Sequence, residues 1–383
     1  MAACSIRRRR RRSAGPRRRS PQRRPAGRAD RMAARERTRG SGRTRAAKIL
    51  IGLLVLLVGT ALISLLDTNR GSVRMLDMVR EPSVYLAAAL AVLGVILARS
   101  RAVVVVGLAA IAIGINMWRL WPYTALAATQ VPLPDEVDGM SCARLLSFNV
   151  LQGNDRHRDT ARLIERVDPD ILLLMETDQS WLDALEPQLS RYGYRLDRPL
   201  DNKYGMAFAT RLTVDRAEMV ANTSSNTPTL YATLRMGDGA RFEMIGLHPR
   251  PPLPGQSTES RDANIAQAGA RTPDGLSNVL AIGDFNDVPW SNTTSRFVAE
   301  GGYRDPRAGR GSFATFPADY AWIGWPLDQI FVKDGVKVEE LEIGDDVGSD
   351  HLPLIAKVCV DPMSADADIE GLFAPDTAPA GER

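Results

Sequence analysis

Polar side chains recur in this sequence where short apolar runs begin or stop. "ARLLSFNVL" (143–151) carries Asn149 near its end, "DILLLME" (170–176) closes on Glu176, and "RFEMIGLH" (241–248) closes on His248. "NVLAIGDF" (278–285) ends with Asp284, followed at once by Asn286; "LDQIFV" (327–332) opens with Asp328, and Asp350 and His351 introduce "HLPLIAKVCV" (351–360). Carboxylates and imidazoles at the lips of buried strands need partners, so such a set implies either salt bridges or a bound cation. Phosphate ester cleavage needs this set of groups. A hard divalent ion such as Mg²⁺, or Mn²⁺, takes carboxylate and amide oxygens, keeps several waters and neutralises phosphoryl oxygens as charge builds. A carboxylate must orient or deprotonate the attacking water, and a histidine held by a second carboxylate can stabilise or protonate the leaving side. Each residue alone also has a plainer reading: Glu176 as a surface acid, "SDH" and Asp328 as turn caps, His248 as a satisfied core histidine.

The elements that must hold these groups follow from hydrophobic pattern. The runs just quoted, with "YGMAFAT" (204–210) and "TLYATLRM" (229–236), read as eight strands. Between them "HRDTARLIERV" puts Ala161, Ile164 and Val167 on one helical face, and "QSWLDALEPQLS" follows the second strand as another amphipathic helix. His157 opens the first of these helices and reads as a surface residue. Many strands with a few helices over residues 141–360 predict one α/β domain, its sheets packed face to face and its helices outside. The tail, 361–383, reads as disordered.

The segments "SFNVLQGN", "DILLLMETD", "IGLHPRPP", "IGDFNDVPWS", "PLDQIFV" and "GSDHLPL" occur in that order. Together they resemble the endonuclease/exonuclease/phosphatase family over roughly 141–360. The resemblance implies a four-layer αββα sandwich of two packed mixed β-sheets with outer helices, and a metal-dependent phosphoesterase. It implies Glu176 as principal metal ligand, with Asn149 and Asp350 near the metal, and Asp284 orienting or activating the water. It further implies Asn286 on a phosphoryl oxygen, His351 facing the scissile phosphate, Asp328 fixing the His351 ring and His248 as an acid or phosphate clamp. Trp290 is expected to pack under the helix that follows "DVPWS". Gln329 departs from relatives with His or Tyr there, and "NTSSNTP" (222–228) matches no motif; both lie where substrate choice can reside.

The rest of the chain sets the context. Residues 1–48 hold 19 Lys and Arg against two acids, whereas 131–383 hold 24 basic and 40 acidic residues. The Arg-rich head reads as disordered and as a topological signal fixing a cytoplasmic side; contact with anionic lipid, or a start at Met32 that omits much of it, are further readings. Three apolar runs at 49–66, 82–98 and 102–118 read as transmembrane helices within 49–122. A linker (123–140) follows. "RSR" between the last two suits a cytoplasmic hairpin, so an odd number of crossings places the rest beyond the inner membrane, on the periplasmic side. Cys142 and Cys359 then lie where disulfides persist, and either a bridge between neighbouring strands or two buried thiols fits. The acidic domain disfavours nonspecific grip on long nucleic acid. Candidate substrates are therefore lipid headgroups, small phosphodiesters or nucleic acid, the bilayer being the other partner and no protein partner being expected. A degenerate, membrane-anchored binding protein or a nuclease are the alternatives.

Overall fold

The structure is a computed structural model and describes residues 28–131, 140–223, 227–271 and 276–361. The chain opens with α1 (Arg28–Ile63), the single turn α2 (Gly71–Arg74), α3 (Arg80–Leu97) and α4 (Ala102–Leu120). There follow β1 (Ser141–Asn149), α5 (His157–Val167), β2 (Ile171–Met175), α6 (Gln179–Leu189), β3 (Tyr194–Arg198), β4 (Met206–Thr210) and β5 (Thr213–Ala221). The remainder is β6 (Pro228–Arg235), β7 (Arg241–Leu247), α7 (Glu259–Ala270), β8 (Val279–Asp284), α8 (Asn292–Glu300), β9 (Asp328–Val332), β10 (Val336–Ile343) and β11 (Leu354–Val360).

The strands form a six-stranded sheet in the order β10-β11-β1-β2-β4-β3 and a five-stranded sheet in the order β5-β6-β7-β8-β9. Both are mixed, because β1 with β2 and β7 with β8 pair in parallel while the other neighbours are antiparallel. Alternation along each strand sends residues to opposite faces. Leu145, Leu173, Met175 and Phe208 of one sheet meet Leu230, Phe242, Leu280 and Ile282 of the other in the central core. The opposite faces carry Phe148, Leu172 and Leu174 against Leu163 of α5 and Trp181 of α6. On the other sheet Ile245, Ala281 and Phe331 pack against Ile265 of α7 and Phe297 of α8. Helix, sheet, sheet, helix is therefore the layering, as the sequence implied.

Three strands, β3, β5 and β10, are additional to the eight expected. All three are edge strands. An edge strand is half solvated and tolerates charges, so "YRLDR", "TVDRAEMVA" and "VKVEELEI" lack the apolar run that marks a central strand.

Cys142 stands directly opposite Cys359 in the β1/β11 register and the two form a disulfide. The bridged arrangement is thus the one observed.

Among the described residues three helical segments are long and apolar enough to cross a membrane: Gly42–Ile63, Arg80–Leu97 and Arg99–Tyr123. Residues 28–48, expected to lack structure, are helical because α1 begins at Arg28. Ala and Arg are strong helix formers, and a helix already nucleated in the apolar run propagates at little cost. Residues 1–27 of the head, 132–139 of the linker and 362–383 of the tail lie outside the described residues.

The junction between helices and sandwich is an apolar cluster in which Leu120 of α4 meets Val288, Trp290 and Leu327, with Met78, Val84, Met117, Tyr123, Phe316 and Trp325 around it. The expectation for Trp290 is corrected here. Its indole donates to the backbone oxygen of Asp77 at 2.8 Å and its ring meets Tyr123 edge-on, so it packs against the helical segment that precedes the domain.

Candidate active site

One pole of the sandwich gathers the ends of the parallel pairs. The carboxyl ends of β1, β2, β7 and β8 bring Asn149, Glu176, His248 and Asp284 together, and the antiparallel β9 and β11 deliver Asp328 and His351 from their amino ends. The side-chain amide of Asn149 donates to Glu176 Oε1 at 3.2 Å and to Asp284 Oδ2 at 3.0 Å. That same Asp284 oxygen lies 3.6 Å from Nε2 of His248 and 3.6 Å from Nε2 of His351. Nδ1 of His351 meets Asp328 Oδ2 at 2.7 Å. Residues separated by up to 202 positions thus share one pocket.

Local backbone chemistry fixes each donor. Glu176 has φ 61°, a left-handed conformation that costs a non-glycine residue roughly 1–3 kcal/mol. It is held because Thr177 pairs with the 200–205 loop through Thr177 N–Gly205 O and Leu200 N–Thr177 O. A Cβ on Gly205 would fall 1.7 Å from the Thr177 oxygen, so only glycine permits this close approach. Asp178 then caps α6 by accepting from the Trp181 amide. Asn286, also left-handed at φ 48°, donates its amide N–H to Asp284 Oδ1 at 2.8 Å and its side chain to Pro249 O at 3.0 Å. This ties the Asp284 loop to the His248 loop. Downstream, Ser291 caps α8.

Asn149, His248, Asp284, Asp328 and His351 are all buried, whereas Glu176 is partly open. Burial raises the Asp328 carboxyl above the usual carboxylate range, against the pull of the adjacent imidazole. For His351 burial acts downward, but the carboxylates of Asp328 and Asp284 outweigh it and raise the imidazole to about 10. The two carboxylates thus favour the protonated ring, which Asp328 at 2.7 Å and Phe316 at 4.9 Å fix in orientation. Asp350 stands apart: it is exposed, its backbone oxygen accepts from Ala318, and its bearing on the cluster is the charge it presents to His351.

The donor set suits a hard divalent cation. Glu176 and Asp284 offer carboxylate oxygens on either side of the Asn149 amide, and the half-open Glu176 leaves space for retained water. Among the described residues the one close trio of candidate ligand atoms, Cys142, Glu339 and Cys359, has both thiols in the disulfide and is no metal site.

Several contributors carried no sequence signal. Ser349 donates to the Asn149 carbonyl at 2.7 Å and accepts the His351 amide, joining β1 to the last strand. Thr315 accepts the Asp328 amide, and Tyr204 packs on His248 with ring centroids 5.3 Å apart. Only Ser349, inside "GSDH", sat in one of the six ordered motifs; Tyr204 opened an expected strand without being singled out. His157 is not simply a surface residue: it is half-buried, its ring edge-on to Trp181 at 4.3 Å.

Comparison with curated proteins finds no match. Among solved structures, one titled as an endonuclease/exonuclease/phosphatase family protein from Bacteroides thetaiotaomicron is 15% identical with TM-score 0.49, the match covering 60% of this chain and 99% of that one. The D. rerio TDP2 complexed with single-strand DNA product gives 15% identity and TM-score 0.46, covering 57% and 99%. The human Nocturnin catalytic domain with bound sulfate gives 18% identity and TM-score 0.46, covering 58% and 94%. The family model for the endonuclease/exonuclease/phosphatase family matches residues 146–351, a span that opens three residues before Asn149 and closes on His351. More than half of the sequence, with the whole polar cluster inside it, is thereby accounted for, and the chain belongs to the endonuclease/exonuclease/phosphatase family.

Proposed function

We propose that this protein is a membrane-tethered, divalent-metal-dependent phosphoesterase that hydrolyses phosphodiester bonds outside the cytoplasm by in-line attack of water. The observation that carries the reading is the double contact of the Asn149 amide with Glu176 and Asp284 while one Asp284 oxygen also faces both buried histidines. Glu176 and Asn149 would hold Mg²⁺ or Mn²⁺, the exposed Asp350 adding charge near His351 rather than a ligand; bound there, the ion would supply charge neutralisation on the phosphoryl group.

The chain's own residues supply the rest. Asp284, anchored through Asn286 N–H, orients the attacking water and takes its proton. Asn286 then holds a phosphoryl oxygen. The His351 imidazolium, kept cationic by Asp328, faces the scissile phosphate and donates to the oxygen on which charge develops. His248, with Nε2 toward Asp284, is the second phosphate clamp or acid.

Hydrolysis of bis-p-nitrophenyl phosphate by the full chain in detergent tests this reading. Activity should require Mg²⁺ or Mn²⁺, vanish with EDTA, and fall by about 10²–10⁴ in Asp284→Ala or His351→Ala, the range of an acid–base contribution. Undiminished turnover in both variants would remove the assignment.

A further inference from the structure

The loops that build the active site are also the loops that grip the membrane-side helices. Three strand-end loops carry a site residue at one end and a contact with residues 67–80 a few positions away. From His248 the chain runs to 253–258, where Gln256 O accepts from Gly71 N at 2.8 Å and Thr258 N donates to Asn69 O at 2.7 Å. From Asp284 it runs to Trp290, whose indole is bonded to Asp77 O and whose carbonyl accepts from Arg119 at 3.0 Å. From Asp328 it runs back three residues to Trp325, whose indole donates to Met78 O. Met78 lies two residues before Arg80, where the second membrane-length helix begins.

These short tethers bound a distance. Three residues of fully extended chain span at most about 11 Å, so the Asp328 backbone can lie no farther than that from Trp325, itself bonded to the mouth of a helix. The headgroup layer on one side of a bilayer is about 5–8 Å thick. The phosphoryl pocket is thus tethered close to the depth at which a lipid phosphate sits.

The loops that leave the site carry matching chemistry. Leu253 is 43% exposed, and Tyr320 and Ile323 are 56% and 53% exposed, on the two loops clamped to residues 70–78. Leu253 has its backbone against Gly71, where a Cβ would meet the Leu253 oxygen at 2.1 Å. Tyr320 and Ile323 lie between Phe316, which touches the His351 ring, and Trp325. Exposed apolar side chains beside a headgroup-level site are the kind that enter the interface of a bilayer. A cation stands close by: the Arg250 guanidinium lies 5.3 Å over the Tyr204 ring, which in turn packs on His248.

We propose that the substrate is a phosphodiester carried in the bilayer itself, a membrane amphiphile whose headgroup phosphate passes between the Leu253 loop and the Tyr320–Ile323 loop to reach Asp284 and His351. This rests on the phosphoesterase reading and narrows it. Water oxygen bonds to phosphorus, one P–O ester bond breaks and the departing oxygen takes a proton, leaving an alcohol and a phosphomonoester; one of the two products stays in the membrane.

The test uses the full chain reconstituted with Mg²⁺ into vesicles of equal parts phosphatidylcholine, phosphatidylethanolamine and phosphatidylglycerol, with bis-p-nitrophenyl phosphate and single-stranded DNA assayed beside them. Cleavage of at least one vesicle lipid is expected, with kcat/KM at least tenfold above that for its water-soluble headgroup diester. Leu253→Asp, Tyr320→Asp and Ile323→Asp together should lower the ratio of lipid to soluble-ester turnover at least tenfold; using a ratio cancels any loss of folded protein. Hydrolysis of the soluble ester with all three lipids intact, faster cleavage of DNA than of lipid, or an unchanged ratio in the triple variant each overturns the proposal while leaving the phosphoesterase reading standing. Failure on every substrate would bring down both.

Discussion

The Asp328 carboxylate is fully buried and commits one oxygen to Nδ1 of His351. Replacing it with asparagine keeps the shape but removes the charge that holds the imidazole protonated and in one tautomer. Asp328→Asn should therefore reduce kcat on a soluble diester by about 10²-fold or more, with KM little changed, as steady-state kinetics would show. A second buried acid acts on stability instead. Burial pushes the Glu243 carboxyl in β7 up from 4.5 to about 7. With a raised folded-state value, the penalty is absent below about 4.5 and is fully developed once pH has risen past about 7, worth on the order of 3 kcal/mol. Glu243→Gln should raise the thermal midpoint at pH 8 and change it little at pH 4.5, flattening the profile measured by calorimetry. Of the site itself, Asp284, Asn286 and His351 were legible because each interrupts an apolar run at a strand end, in a fixed order of segments. Tyr204 and Thr315 were not, since a phenol in a loop and a threonine near a proline look the same whether or not they touch a catalytic group.

Central strands announced themselves and edge strands did not. "ILLLM" of β2 is buried along its whole length, so its composition is dictated by its position, whereas β10 faces water on one side and reads as charged loop. The β1/β11 pair is stapled by the disulfide between Cys142 and Cys359, which are 217 residues apart in sequence. Closing so long a loop reduces the freedom of the unfolded chain by about 5 kcal/mol in the chain-entropy model. Cys142 stands near the start of the strand that Asn149 ends, roughly 23 Å away at the usual rise per residue. Cys142→Ser should thus lower the unfolding midpoint in denaturant by several kcal/mol equivalent while leaving kcat near wild type at temperatures where the variant remains folded. A large loss of kcat in the folded variant would contradict the separation of staple and site.

The charge pattern and the helices predict a topology. Residues 28–48 and Arg99–Arg101 lie at one end of the membrane-length helices, and residues 64–79 with the sandwich domain lie at the other. Lys and Arg favour the cytoplasmic side, so the domain should face away from it. The disulfide agrees, because such bonds persist in oxidising compartments. An alkaline phosphatase fused after Pro122 should be active, and activity instead from a cytoplasmic reporter at that point would reverse the orientation. Sequence could foresee the three helices from hydropathy alone. It could not foresee that they would be welded to the sandwich, because Trp290 to Asp77 and Gly71 to Gln256 join positions about 200 residues apart and leave no local trace.

That weld bears on how the molecule can be handled. Leu120, Met117, Tyr123, Met78 and Val84 cover Val288, Trp290 and Leu327, the residues just beyond the Asp284 turn and just before Asp328. Trimming away everything before residue 131 would leave two tryptophans and their aliphatic neighbours facing solvent, with the Asp284 and Asp328 turns stripped of their floor. Excised material of that kind should clump and turn over poorly, so detergent or nanodiscs, rather than truncation, are the route to an active preparation.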